Sequence, residues 1–197
     1  MAPAEKMTMI RWRPNLPIIA FSIPFVFMGS AFAGKNKFDV NFGYFSVSAK
    51  TANSSGSVAG IGLYHFNYRR SLTPKMELTL GYTLYFTGII AGDSGSGLDV
   101  GGNYFPFSRA AEVSAGQGGR ALRLEEQFRP YLGITFNQRS YQSVQSSYSG
   151  FGLHGGFEYS LKDNLSLNTA VRMIILSGAR SSSATEMGGF GGLSFRF

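Results

Sequence analysis

The chain has no cysteine, which rules out disulfides and thiolate metal sites, and with them a lipid-modified cysteine anchor. Histidine is nearly as scarce, at two residues, and these stand without a carboxylate-rich cluster, so neither composition nor spacing points to a metal centre. Acidic residues number 11 against 18 Lys and Arg, but the basic ones are scattered, with no Lys/Arg-rich run and no interleaving of basic and aromatic residues. Nucleic-acid binding therefore has no support. Long apolar runs are also missing past residue 33. No later stretch approaches the roughly 20 residues that a membrane-spanning helix needs.

The apolar stretch that does occur lies at the front. Lys6, Arg11 and Arg13 precede Leu16–Met28, and Ala31-Phe32-Ala33 follows. A basic segment, a short apolar segment and small residues at an A-x-A site make a secretory signal peptide. Pro17 and Pro24 argue against a transmembrane helix there. The expected domains are a cleaved signal over 1–33 and a single domain over 34–197, beginning at Gly34. Removing Lys6, Arg11, Arg13 and Glu5 with the signal lowers the formal charge from +7 to +5.

What the chain has in abundance is glycine and aromatic residues: 26 Gly, 18 Phe and 10 Tyr. These follow a period of two. Phe38, Val40, Phe42 and Tyr44 alternate with Asp39, Asn41 and Gly43. Met76, Leu78, Leu80, Tyr82 and Leu84 alternate with Glu77, Thr79, Gly81 and Thr83. The same rhythm marks Tyr64–Tyr68, Leu98–Tyr104, Leu132–Phe136, Phe151–Tyr159, Leu165–Met173 and the terminal Leu193–Phe197. Eight strands are predicted, separated by segments rich in Ser, Gly, Asn and Lys.

A soluble sandwich or barrel would alternate too. Two features favour a membrane. Aromatics crowd the strand ends (Tyr64, Phe66, Tyr68; Tyr85, Phe86; Tyr104, Phe105; Phe157, Tyr159), as interfacial girdles do. The inward series is rich in glycine (Gly43, Gly81, Gly101, Gly133, Gly152, Gly192), which suits a narrow lumen. The predicted fold is all-β: an eight-stranded antiparallel up-and-down transmembrane β-barrel. An even strand number puts both termini at one end, in the periplasm. Connections at Lys50–Ser57, Thr87–Gly97, Arg139–Ser147 and Ser177–Met187 would then face outside. Those at Arg69–Lys75, Phe105–Arg129 and Ser160–Asn164 would face the periplasm.

The segment Phe105–Arg129 is long for a periplasmic connection, and carries Arg109, Arg120, Arg123 and Arg129 with an expected short helix over Ala121–Phe128. It reads either as an interfacial piece against headgroups or as a solvated basic insertion. Inside the barrel, two ion pairs are expected. Asp39 with Arg196 would close the seam between first and last strands, and Asp99 with Arg139 would share the outer end of neighbouring strands. Arg172 is expected to face Gly152. A tight turn after Arg69 would set Tyr68 opposite Met76, Phe66 opposite Leu78 and His65 opposite Thr79, with Glu77 near His65 and Gly62 opposite Tyr82. A bulge near Leu63 is expected from the broken parity of Ile61 and Leu63. Charges in a narrow, partly dry interior must pair, so a lumen filled this way would block solutes.

In these features the chain resembles the small outer-membrane β-barrel proteins of Gram-negative bacteria over its whole length after residue 33. The most specific match is at the C-terminus, where Gly192, Phe195 and Phe197 fall on that family's assembly signal, although Phe190 stands where the family has a polar residue. Asn103-Tyr104-Phe105-Pro106-Phe107 and Arg129-Pro130-Tyr131-Leu132-Gly133 resemble the borders of a periplasmic turn in the same family. The resemblance implies a bacterial outer-membrane location, contact with outer-membrane lipids and insertion by the barrel assembly machinery. It implies no chemistry. Catalytic constellations of such barrels are not completed here: His65 pairs in sequence with Asn67 and His154 with Gly156, and Asp93-Ser94 has no His in any expected outer loop. A Ser without a base is not activated. No catalytic, cofactor or metal residue is therefore assigned. The leading expectation is a structural or surface-contact protein. The alternatives are a lipid-modifying outer-membrane enzyme and a small, porin-like channel for apolar solutes.

Overall fold

The computed structural model describes residues 36–51, 55–90, 92–108, 111–114, 121–124, 126–142, 146–179 and 181–197. The expected signal segment 1–33 and Gly34 lie outside the described residues, as do Arg109 and Arg120. Alternating sequence becomes alternating environment in β1 (Asn36–Lys50), β2 (Ser55–Thr73), β3 (Met76–Phe86) and β4 (Ser94–Tyr104). It does so again in β7 (Phe128–Tyr141), β8 (Ser146–Lys162), β9 (Leu165–Gly178) and β10 (Ser183–Arg196). These eight close into an antiparallel barrel in the order β1-β10-β9-β8-β7-β4-β3-β2. The seam is β1 against β10, with Lys37 opposite Arg196 and Asn41 opposite Gly192. Both termini therefore lie at one end, where the Phe197 amide donates to the Asn36 carbonyl at 3.0 Å.

The polarity of the wall is inverted relative to a soluble barrel. Phe38, Val40, Phe42, Leu78, Leu80, Val100, Ile134, Phe151, Val171 and Phe195 are exposed on the outer face. Lys37, Asp39, Arg69, Glu77, Asp99, Arg139, Glu158 and Glu186 are buried inside. Strands of 11 to 19 residues meet or exceed the roughly 9–11 that a tilted strand needs to cross a bilayer.

Several registers differ from those expected. β2 does not end at Arg69 but runs to Thr73, past a bulge between Ser71 and Thr73, and turns at Pro74-Lys75. Tyr68 therefore faces Leu80, Phe66 faces Tyr82, His65 faces Thr83 and Gly62 faces Phe86. The parity is unchanged, because the slip is an even number of residues. The irregularity expected near Leu63 is present, at the β1–β2 shift between Gly43 and Phe45; Leu63 keeps the inward parity of His65, and the shift turns Ile61 outward. Across β8 and β9, Arg172 faces His154 rather than Gly152, which stands opposite Ile174. Tyr85 and Phe105 belong to no girdle; both are buried inside.

The expected helix over Ala121–Phe128 is absent. Residues Ala111–Ser114 (β5) and Ala121–Leu124 (β6) pair instead as a separate antiparallel ribbon, and Phe128 already opens β7. Gly116, Gly118 and Gly119 lie between the two short strands in sequence, a composition that favours chain reversal over helix continuation.

Candidate functional site

The inward positions of the strands build two layers of ion pairs across the lumen. Nearer the termini, the Arg69 guanidinium grips Asp39 with two nitrogens, Nε at 2.8 Å from Oδ2 and NH2 at 2.9 Å from Oδ1. Its NH1 lies 2.9 Å from Glu77 and 3.0 Å from Glu158, and NH2 also donates to Ser194 at 2.8 Å. Lys37 bridges the same two glutamates, at 3.0 Å from Glu77 and 2.9 Å from Glu158. One arginine and one lysine thus hold three carboxylates drawn from β1, β3 and β8. Below this layer Phe105 fills the terminus end, with the Arg129 guanidinium 4.1 Å from its ring centre. The Phe105 amide ties to the Lys75 carbonyl at 2.8 Å.

This arrangement corrects the expected seam pair. Asp39 lies opposite Ser194, while Arg196 lies opposite Lys37, so the two are offset along the seam. Arg69, also opposite Lys37 but on β2, reaches Asp39 first. Arg196 lies 3.9 Å from the Glu158 carboxylate.

Nearer the opposite end, Arg139 sits 2.6 Å from Asp99 and 3.0 Å from Glu186, and Arg172 sits 2.7 Å from Glu186. Glu186 also accepts from the Tyr85 and Tyr141 hydroxyls at 2.9 and 3.1 Å. Thr83 donates to Asp99 at 2.8 Å. Two arginines thus face two carboxylates, each with hydroxyl partners, the condition under which a buried ion pair is tolerated. Buried apolar side chains pack around this layer: Val47 and Ile174 stand opposite Glu186 on the two neighbouring strands, and Phe45 packs its ring against Tyr85 at 5.1 Å.

Both histidines lie between the layers. His65 Nε2 is 3.6 Å from Asp99, not beside Glu77, and its ring packs against Phe190 at 4.9 Å. His154 Nε2 is 2.7 Å from Asn103 Oδ1. A Cβ on Gly81 would meet His65, and one on Gly133 would meet His154, so glycine at these inward positions is what leaves room for an imidazole. The space left among them is a polar cavity of about 30 Å³, room for about one water. Among the described residues the polar partners of the two rings are Asn41, Asp99 and Asn103. Among the described residues, no group of three or more His, Asp or Glu is placed to hold a metal.

Sequence reading missed Arg69, Lys37, Glu158 and Glu186. Arg69 and Glu186 had been placed in connections, because the strands run further than their apolar alternation. Asp93 closes a loop through its backbone, accepting from the Thr87 amide at 3.0 Å. Gly192 presents bare backbone to β1 at the seam, where a Cβ would strike the Val40 carbonyl, and Phe195 and Phe197 are exposed on the outer face.

No family model matches the chain, and no curated protein does. Among solved structures, neisserial surface protein A is similar at 14% identity, covering 81% of this chain and 97% of that one, with a TM-score of 0.47. The outer membrane protein OprG of Pseudomonas aeruginosa is similar at 14%, covering 84% and 96%, with a TM-score of 0.45. The N-terminal barrel domain of OprF from the same organism is similar at 14%, covering 83% and 98%, with a TM-score of 0.45. The fold rests on the closed strand order and the inverted wall: the chain has the architecture of a small eight-stranded outer-membrane barrel.

Proposed function

We propose that the protein is an integral barrel of a bacterial outer membrane with a structural or surface-contact role, its lumen sealed rather than conducting. The observation that carries this reading is the pair of ion-pair layers, with buried apolar side chains packed around one and Phe105 at the terminus end of the other. Every large inward charge in them is held by two or more partners drawn from different strands. Such a lumen holds the wall together from inside and leaves no continuous water path. In this reading residues 1–33 direct export, outer-membrane lipids cover the apolar wall, and the barrel assembly machinery recognises Gly192, Phe195 and Phe197. The polar hollow lined by Ser48, Lys50, Ser55, Ser57, Ser183 and Thr185, at the end away from the termini, offers hydroxyls for contact with an outside surface.

The alternatives divide on one measurement. Purified protein in planar bilayers is expected to give no steady conductance under a holding potential. A steady open channel would overturn the sealed lumen and favour the small-channel reading. For the enzymatic reading, the two His rings are engaged by Asn41 and Asn103 rather than by a Ser, which does not favour a nucleophile–base pair.

A further inference from the structure

The connections at the end away from the termini are polar in sequence, with one exception. Residues 51–54 read Thr-Ala-Asn-Ser and residues 179–182 read Ala-Arg-Ser-Ser, but the β3–β4 connection carries Ile89 and Ile90 in succession. These two side chains are 57% and 80% exposed. The loop that bears them is not loose. Its neck is tied by the Thr87 amide to the Asp93 carbonyl at 3.0 Å and by the Asp93 amide to the Thr87 hydroxyl at 3.1 Å. Gly92 completes the reversal at φ 109°, a backbone region open to glycine.

The direction of the tip is fixed by the wall. Tyr64, on the outer face of β2, donates its hydroxyl to the Ile89 carbonyl at 2.8 Å. The Tyr64 ring packs between Phe42 and Phe86, with ring centres at 5.2 and 6.1 Å. Gly60 and Gly62 beside it let the start of the loop lie directly on β2; a Cβ on Gly60 would come 2.7 Å from Thr87 Cα, and one on Gly62 would strike the Gly88 carbonyl. Gly60 and Gly62 lie on the inward parity, so it is the Tyr64 hydroxyl, from the outer face, that draws the Ile89 end of the loop toward the outside of the wall. Its isoleucines continue the lipid-facing surface of Phe42, Tyr64 and Phe86.

We infer that the β3–β4 loop is a membrane anchor, in which Ile89 and Ile90 enter the acyl region of the adjacent leaflet and Tyr64 holds them there. The occupant is lipid because the patch is continuous with the lipid-facing wall and its one directional contact comes from that wall. A tyrosine suits this duty, since its ring sits in the apolar layer while its hydroxyl reaches a polar group at the interface. The inference rests on the membrane-barrel reading above.

The cysteine-free chain allows single environment-sensitive fluorophores on Ile90→Cys, Leu80→Cys and Ser183→Cys, each reconstituted in phosphatidylcholine vesicles. The quenchers are lipid spin-labelled high on the acyl chain and aqueous iodide. The probe at 90 is expected to match the one at 80, with strong lipid quenching, emission blue-shifted from the probe at 183, and iodide quenching several-fold weaker. Iodide quenching at 90 equal to that at 183, with no lipid quenching, would overturn the anchor and leave a water-facing tip for a protein partner. Absence of lipid quenching at 80 would instead remove the membrane barrel itself. Tyr64→Phe, in a barrel whose β-sheet circular dichroism is unchanged, is expected to raise iodide quenching at 90 several-fold; no change would overturn the part assigned to the hydroxyl.

Discussion

A single guanidinium shows how much of this protein's stability is concentrated at one residue. Arg69 touches Asp39, Glu77, Glu158 and Ser194, side chains from four other strands, and is itself fully enclosed. Arg196 lies at the rim of the same layer, partly open to solvent and 3.9 Å from Glu158. Removing one partner of a buried ionic network leaves uncompensated charge and costs about 3–5 kcal/mol, whereas an exposed pair contributes about 0–1 kcal/mol. Arg69→Met is therefore expected to destabilise the barrel by about 3–5 kcal/mol and Arg196→Met by clearly less, read as urea midpoints in detergent. Equal losses would mean that the seam, not the network around Arg69, carries the load. The sequence could show that both arginines were candidates for the lumen. It could not show which one Asp39 would take, because that depends on a register three strands wide.

At the level of one element, β3 states the logic of the wall most plainly. Leu78, Leu80 and Tyr82 are exposed outside, while Glu77, Thr79 and Thr83 are buried inside. The alternation alone placed these six residues on their two faces, and it did so without knowing the register of β3 against β2. That is the physical reason it succeeded: an even slip moves neighbours along the barrel axis but leaves each side chain on its own face. Cysteines replacing Leu78, Leu80 and Tyr82 are expected to take a bilayer-restricted apolar label, and cysteines replacing Glu77, Thr79 and Thr83 to refuse it. Labelling of both sets alike would exclude a lipid-facing wall. The same even-slip logic fails for turns. Pro74-Lys75 could have begun anywhere after Tyr68, and placing the turn early hid Arg69 and Ser71 in a loop. The β5–β6 ribbon was missed for a related reason, since four-residue strands are too short for periodicity to separate from a helical turn.

For the whole molecule, the two layers act in series. Glu186→Ala strips Arg139 and Arg172 of their shared partner but leaves the Lys37–Arg69 layer and Phe105 in place. Such a variant is expected to lose stability and still give no steady conductance in planar bilayers. Adding Glu77→Ala and Phe105→Ala should thin the second barrier, so that conductance above the single variant's baseline appears, if at all, only in the combination. Conductance from Glu186→Ala alone would show that the terminus-end layer is no seal. The asymmetry of the ends also belongs to this scale. The long connection, 105–127, joins β4 to β7 at the terminus end, and the four connections at the other end are short in sequence.

The number of barrel strands, the face each one presents, the common end of the two termini and the inverted polarity of the wall were all legible in the sequence. All of these follow from a period of two read along one strand at a time, and the pleat enforces that period regardless of neighbours. Tertiary structure alone decided who meets whom inside: Asp39 with Arg69, His154 with Asn103, Glu186 with two arginines and two tyrosines, and Tyr64 with the Ile89 loop. Those contacts join residues up to 125 positions apart, as Arg69 and Ser194 are. They exist only because closure and shear bring particular rows of the eight strands to one level, and no local pattern records that level.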